Sequence, residues 1–393
     1  MITKANNLVR EVEAYENNDQ PSLDFGDTIK VMLEAKPLPK TEKRKQPKEE
    51  PKVRPQLRLI QGGSEMKPQE TETHLEGYWA GYETLTFVDI FCGIGGFHQA
   101  ASSLGMACVF ACDIDEEVRK TYEHNYDIRP EADIARVQTE NIPDHDILFA
   151  GFPCQPFSII GNRAGFADVR GTLFFELARI IEAKQPRAFV LENVKQLVSH
   201  NKGETLARIL EILRDEFGYQ VDYKVLNALH FGLPQKRERV LIVGFREEAV
   251  GFEFPTVKQP MKPLAEILES NPAPKHFVSE RIKRARHAAH TASVTPSIWH
   301  ENKAGNIASH PFSCALRAGA SYNYLLVNGE RRLTPREMLR LQGFSDTFEI
   351  VSNDSQARKQ AGNAVPAPMV KAILERVLNV KRSTVERTRK AAQ

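Results

Sequence analysis

No C-x-x-C pair occurs among the five cysteines, Cys92, Cys108, Cys112, Cys154 and Cys314. An odd count without metal-ligand spacing argues against a disulfide framework and a zinc site, and it fits a reducing cytosol. His276, His287, His290, His300 and His310 are scattered without a supported metal-binding pair, so no metal is expected. There is no recognisable signal peptide and no apolar run of about 18 residues, so nothing reads as a membrane span. Bulk charge is missing too: the formal net charge is +2 over 393 residues. Any nucleic-acid surface must therefore come from local clustering. Hydrophobic residues make up 41%, slightly low, which leaves part of the chain without a core to join. The length still allows two ordinary domains, or one large domain with an insert.

What is present begins with a charged segment. Residues 36–58 carry nine Lys/Arg against three Glu, with five prolines and no aromatic residue. Such a stretch cannot bury enough apolar surface to offset its ordering entropy. Apart from a candidate short helix at 7–15, residues 1–80 read as a basic, disordered tail. A phosphate-touching arm is the sharper but less favoured alternative.

Order is expected from Leu85. Residues 86–90 read as a buried strand, Phe91-Cys92-Gly93-Ile94-Gly95-Gly96-Phe97 as a glycine-rich turn, and the following stretch as a helix that Gly105 ends. Strand, glycine turn and helix open a nucleotide-binding βαβ unit. The dinucleotide fingerprint G-x-G-x-x-G fails, because its third glycine would fall at His98. A second strand, 107–112, ends in Asp113-Ile114-Asp115. A carboxylate there suits the ribose hydroxyls of an adenosine. Asp115 suits the cap of a helix starting near Glu116, which leaves Asp113 for the ribose. Asp133 and Ile134 suit an adenine amino group and ring.

The chain's centre is Gly151-Phe152-Pro153-Cys154-Gln155-Pro156-Phe157-Ser158. It follows a short apolar strand, 146–150, and two prolines fix the backbone around the sulfur. Strand ends are where open α/β sheets bind ligands. A buried structural cysteine is the bland alternative, yet core packing does not require such a turn. Residues 161–171 read as a flap and 173–183 as an amphipathic helix. The strand 187–191 ends in Glu192, setting a carboxylate beside the thiol-bearing strand end. Strands 221–227 and 239–245 read as an antiparallel pair. Alternation puts Gln235, Arg237 and Arg239 on one face, aiming two guanidiniums at one place that suits a phosphate or base edge. Residues 247–330 lose periodicity and cluster Lys275, Arg281, Lys283, Arg284 and Arg286, as a loop-rich basic lobe would. Thr334, Pro335 and Glu337 spell a capping box. Residues 360–366 then lead into a final amphipathic helix.

These parts, in this order, resemble the bacterial cytosine-C5 DNA methyltransferases over about residues 85–246 and 331–380. The resemblance thins across 247–330 and does not cover 1–80. It implies an α/β, Rossmann-like, S-adenosylmethionine-dependent catalytic domain, 85–246 plus 351–380. A smaller, loop-rich target-recognition domain would occupy 247–350, and a basic tail 381–393. It further implies that Phe91, Gly93, Gly95, Gly96, Asp113 and Ile114 hold S-adenosylmethionine, with Asp133, Ile134, Pro153, Leu173 and Asn363. Cys154 would be the nucleophile, Glu192 the contact to the target cytosine, and Arg237 and Arg239 its neighbours.

Three departures stand out. The ribose acid is the shorter Asp113; Ile114 stands where some members carry an aromatic ring; and Ala315-Leu316 replaces a common Thr-Leu pair. The implied chemistry needs these residue types. Cytosine carbon 5 becomes nucleophilic only once a thiolate adds to carbon 6, and a protonated Glu192 would stabilise charge at ring nitrogen 3. The base must first be flipped from the duplex.

Expected partners are double-stranded DNA and a separately acting restriction endonuclease, for a monomer in a bacterial cytoplasm. Competing readings are a tRNA cytosine methyltransferase on the same fold, a catalytically silent DNA-binding protein, and an NAD-dependent oxidoreductase. The failed fingerprint and the Cys154–Glu192 pair argue against the last.

Overall fold

The structure, a computed structural model, describes residues 77–152, 173–256 and 258–382. The arm at 36–58, the turn from Pro153 onward with Cys154, and the flap at 161–171 lie outside the described residues.

Strands β1 (Thr86–Ile90), β3 (Ile147–Gly151) and β4 (Ala188–Val194) are buried along nearly their whole length. That is the mark of parallel strands covered on both faces. With β2 (Ala107–Cys112) they form the parallel part of a six-stranded sheet. The strand order is β2-β1-β3-β4-β7-β5, where β5 is Gln220–Asn227 and β7 is Glu238–Phe245. A two-residue strand, β6 (Gln235–Lys236), precedes β7. As the alternation predicts, β5 and β7 pair antiparallel, in register from Gln220 opposite Phe245 to Asn227 opposite Glu238.

Helices cover both faces. On one, Phe97, Ala100 and Ala101 of α1 (Gly96–Ser102) share a core with Met369, Val370 and Ile373 near the C-terminus. On the other, Phe174 and Leu177 of α3 (Leu173–Lys184) share a core with Leu206 and Ile209 of α4 (Glu204–Glu211). Helix α2 (Glu116–Tyr126) follows β2.

The folded region is larger than the sequence signal at both edges. Among the described residues, packing is already present at Tyr78, ahead of Leu85. Tyr78 and Trp79 are fully buried, Trp79 Nε1 donates to Val377 O (2.9 Å), and Tyr78 OH donates to Arg187 O (2.8 Å). Two aromatic residues thus take the end of the reputed tail into the core, at about 1.5–3 kcal/mol per buried side chain. Likewise Ala249–Val250 (β8) pairs with Lys381–Arg382 at the other end of the chain. Phe252 packs edge-on against Phe245 (5.3 Å). Residues just past 247 and at 380–382 therefore pack with the sheet's core.

The region 247–350 is loop-rich, as expected, and its regular elements are short. It contains a ten-residue helix, α6 (Glu280–Ala289), and a three-stranded antiparallel sheet. The strands are β9 (Ile298–Glu301), β10 (Ile307–His310) and β12 (Leu325–Val327), with β9 central. His287 and His290 both pack on the buried Trp299 ring at 4.9 Å, so these two histidines contribute packing. Among the described residues no group of three His, Cys, Asp or Glu is arranged for a metal, and Cys92, Cys108, Cys112 and Cys314 are free. No described helix is long and apolar enough to cross a membrane.

Candidate active site

The glycine turn between β1 and α1 is built by backbone that ordinary side chains resist. Gly93 and Gly95 have φ of 54° and 82°, and Phe91, a non-glycine, has φ 56°. A left-handed aromatic residue costs of order 1 kcal/mol and marks a site that the surroundings over-determine. Among the described residues nothing lies within 4 Å of where a Cβ would stand on Gly93, so there the turn borders open space. Gly96 closes the other side, because a Cβ there would strike Val365 O.

Asp113, just past β2, holds this turn. Its Oδ2 accepts from Gly93 N–H (3.0 Å) and its Oδ1 from Asp115 N–H (2.9 Å). Burial pushes its pKa up, and those two donors oppose the shift. Each oxygen keeps a lone pair for a hydroxyl. Asp115 caps α2 as anticipated, accepting from Glu117 N–H (3.0 Å) and Val118 N–H (3.3 Å). Arg119, which the sequence did not single out, donates to Asp113 O (3.0 Å) and Ile114 O (2.8 Å) and so fixes the segment. Asp133 accepts from Ala135 N–H (3.1 Å) and pairs with Arg136 (3.2 Å). Ile134, expected to lie on an adenine ring, is only 3% exposed and belongs mainly to the core. Leu173 opens α3 half-buried, and Asn363 is exposed at the end of α8 (Asp354–Asn363).

Two strands from β1 lies a Glu–Arg pair. Glu192 on β4 stands opposite Gly151 of β3 and Leu241 of β7. Its Oε1 forms an ion pair with Arg239 Nε at 2.7 Å. A Cβ on Gly151 would stand 3.7 Å from Oε2, so glycine there leaves the carboxylate room. Asn193 was given no role from the sequence, yet its buried Nδ2 donates to Phe152 O (2.8 Å). That bond ties the last described residue before Pro153 and Cys154 to the strand carrying Glu192.

Arg237 is placed differently from the expectation. It does not join Arg239 in facing one phosphate or base edge. It is 1% exposed and donates to three carbonyls: Leu316 O (2.9 Å), Gly362 O (3.1 Å) and Ala364 O (2.9 Å). Burial, then the neighbouring Arg239 charge, pulls its pKa down to about 9. Gln235 does share its face, and its Oε1 accepts from Leu316 N–H (3.0 Å).

A left-handed glycine turn, an acid just past the second strand, and a Glu–Arg pair at the end of the fourth are the geometry in hand. The family model described as C-5 cytosine-specific DNA methylase matches residues 85–379. The chain belongs to this family. Its reaction is methyl transfer to carbon 5 of cytosine in DNA, dependent on S-adenosylmethionine.

The type II methyltransferase M.NgoBI of Neisseria gonorrhoeae is 53% identical over 288 residues, 72% of this chain and 90% of that protein. The type II methyltransferase M.HaeII of Haemophilus aegyptius is 51% identical over 295 residues, 74% and 92% of the two chains. Among solved structures, the S. pombe Dnmt2 methyltransferase shares the fold at TM-score 0.57 and 20% identity, over 75% of this chain and 98% of that one. The Entamoeba histolytica methyltransferase EhMeth does so at TM-score 0.59 and 17% identity, over 75% and 98%. The rest of the methylase's basic lobe is less free than its composition implies. Lys275 pairs with Asp354 (2.6 Å), Lys283 with Glu330 (2.8 Å), and Arg286 with Glu301. These three cations are therefore spent within the protein, while Arg281 and Arg284 remain exposed.

Proposed function

We propose that this methylase attacks a flipped cytosine with Cys154 and holds the ring through Glu192 and Arg239. The observation that carries the reading is the Glu192–Arg239 ion pair at 2.7 Å, tied through Asn193 and Phe152 to the segment that continues into Cys154. The Cys154 thiolate adds to carbon 6, and the electron pair moves toward ring nitrogen 3. A proton taken up from water bridges Glu192 and that nitrogen and is released again when the thiolate departs, while Arg239 holds the Glu192 side chain in position. When bound, S-adenosylmethionine supplies the electrophilic methyl group that carbon 5 accepts. Loss of the carbon 5 proton to water and departure of the thiolate restore the aromatic ring.

For S-adenosylmethionine the residues fit. The open space at Gly93 admits a ligand against the turn, and Asp113 has acceptor capacity left for ribose hydroxyls. Phe91, Gly95, Gly96, Ile114, Asp133, Ile134, Pro153, Leu173 and Asn363 complete the proposed pocket, with Ile134 presenting only an edge. Residues 247–330 would read the flanking bases of a short site, about 4–6 base pairs, through the major groove. Given relatives named as type II methyltransferases, the protein is proposed to protect host DNA from a separate endonuclease, acting as a monomer in a bacterial cytoplasm.

Bisulfite sequencing of DNA from a host expressing the protein tests both activity and site. A single short motif, methylated throughout, is the expected result. Unmethylated DNA from a host making folded protein would contradict the reading.

A further inference from the structure

One of the segments through which the lobe packs against the rest of the protein is Leu316 to Tyr324. Its two ends are buried, at 3% and 6% exposure, while Arg317, Gly319, Ser321 and Tyr322 between them are exposed. An exposed stretch with two glycine-like small residues and no helix or strand has no regular hydrogen bonding of its own, so its carbonyls need other donors. Arginines supply them. Arg237 takes Leu316 O (2.9 Å), and Arg358 Nη2 takes both Ala320 O and Ser321 O, the latter at 2.7 Å. The Arg358 guanidinium also lies 4.5 Å from the Tyr322 ring centroid, a favourable cation–π distance.

Arg358 stands on α8, the helix that ends at Gly362 and Asn363. The same helix touches the segment a second time: a Cβ on Gly362 would come within 2.5 Å of Ala318 N. The segment's backbone is thus fastened to α8 at two points, with the cofactor-side residue Asn363 immediately after the second.

We propose that Arg358 is a positioning residue for target recognition, fixing the Leu316–Tyr324 backbone against α8 so that its exposed side chains meet DNA in one arrangement. This rests on the reading above that the lobe faces DNA. Fixing a loop in its bound form removes an ordering cost from the correct complex, and it denies a wrong sequence the chance to be accommodated by rearrangement.

The test compares Arg358→Ala, Arg358→Lys and Arg317→Ala with wild type. Duplex oligonucleotides carrying the methylated motif, or the motif with one flanking pair changed, serve as substrates. Arg358 is half-exposed on a helix surface, so folding should survive, and a thermal melt checks it. For Arg358→Ala the expected result is a tenfold or larger fall in discrimination between the two duplexes. KM for the correct duplex should rise several-fold with kcat within about threefold, and Arg358→Lys should restore only part of the loss, since lysine lacks the fork and the planar face. Unchanged discrimination in folded Arg358→Ala, while Arg317→Ala relaxes it, would overturn the positioning role alone. Unchanged discrimination in both would overturn the role together with the reading that this segment faces DNA.

Discussion

Two of the arginine–glutamate pairs in this molecule, Arg331–Glu337 and Arg239–Glu192, differ in what they leave undone. At the root of the lobe, Arg331 forks onto Glu337, with Nη1 to Oε2 at 2.8 Å and Nη2 to Oε1 at 2.7 Å. The same two oxygens accept from Thr334 N–H (2.8 Å) and Glu269 N–H (2.8 Å). All four acceptor positions of the carboxylate are filled, and Glu337 is 0% exposed. At the end of β4, Glu192 meets Arg239 through Oε1 at 2.7 Å, and among the described residues no hydrogen bond to Oε2 is found. The residue keeps 8% exposure. A saturated pair can only hold structure. A half-saturated pair at a strand end can still accept something else, and that difference separates a brace from a site.

The comparison breaks most visibly if the two pairs are neutralised in turn. Glu192→Gln keeps size and removes the acid, so kcat for methyl transfer should fall by about 10²–10⁴, with little change in the thermal melt. Equal loss of stability and activity would mean that Glu192 is a brace as well. Arg331→Met should do the reverse. It strands a buried carboxylate, which costs about 3–5 kcal/mol, readable in the denaturant midpoint, while the protein that remains folded turns over normally.

A buried group without charge sharpens the contrast. His98 is 7% exposed, its Nδ1 lies 2.6 Å from Tyr122 OH, and its ring stacks on Tyr126 at 3.9 Å. Burial lowers its pKa from 6.5 to about 4. The unfolded chain therefore binds the extra proton between those values, so this contribution to stability is present above pH 6.5 and lost as pH falls toward 4. Its size is about 3 kcal/mol. Chemical denaturation at pH 7 and pH 4.5 should show a flatter acid limb in His98→Gln; parallel limbs would rule out this source of acid sensitivity. Smallest is the cap itself. Thr334 accepts from Glu337 N–H (3.1 Å) in the capping box of the helix Pro335–Leu341, and Thr334→Ala should cost about 1 kcal/mol in a denaturant titration.

Much of this was legible in the residues. Apolar runs bounded by glycine gave the parallel strands. The capping box at Thr334 was readable because its partners are three residues apart, and the same held for Asp115. What failed was long-range. Alternation correctly put Gln235 and Arg237 on one face, but it could not say that Leu316, Gly362 and Ala364 would be waiting there, 79 to 127 positions along the chain. The lobe's cations look free in sequence for the same reason, since Asp354, Glu330 and Glu301 answer them from distant segments. Tyr78 and Trp79 are hidden in a polar context, although two adjacent aromatic residues following a long polar, charged stretch are a usable signal. Site residues were easier than their supports because chemistry restricts residue type locally, whereas Asn193 and Arg119 act only through neighbours that folding supplies.

The central claim is that Cys154, Glu192 and Arg239 act on one cytosine. It is tested most directly by incubating wild type, Cys154→Ser and Glu192→Gln with S-adenosylmethionine and duplex DNA carrying 5-fluorocytosine at the target. Fluorine cannot leave carbon 5 as a cation, so the thiolate cannot depart and the adduct persists. The account predicts a denaturant-resistant protein–DNA complex with wild type, none with Cys154→Ser, and one forming at least a hundredfold more slowly with Glu192→Gln. A trapped complex with Cys154→Ser, or trapping by Glu192→Gln at the wild-type rate, would contradict it.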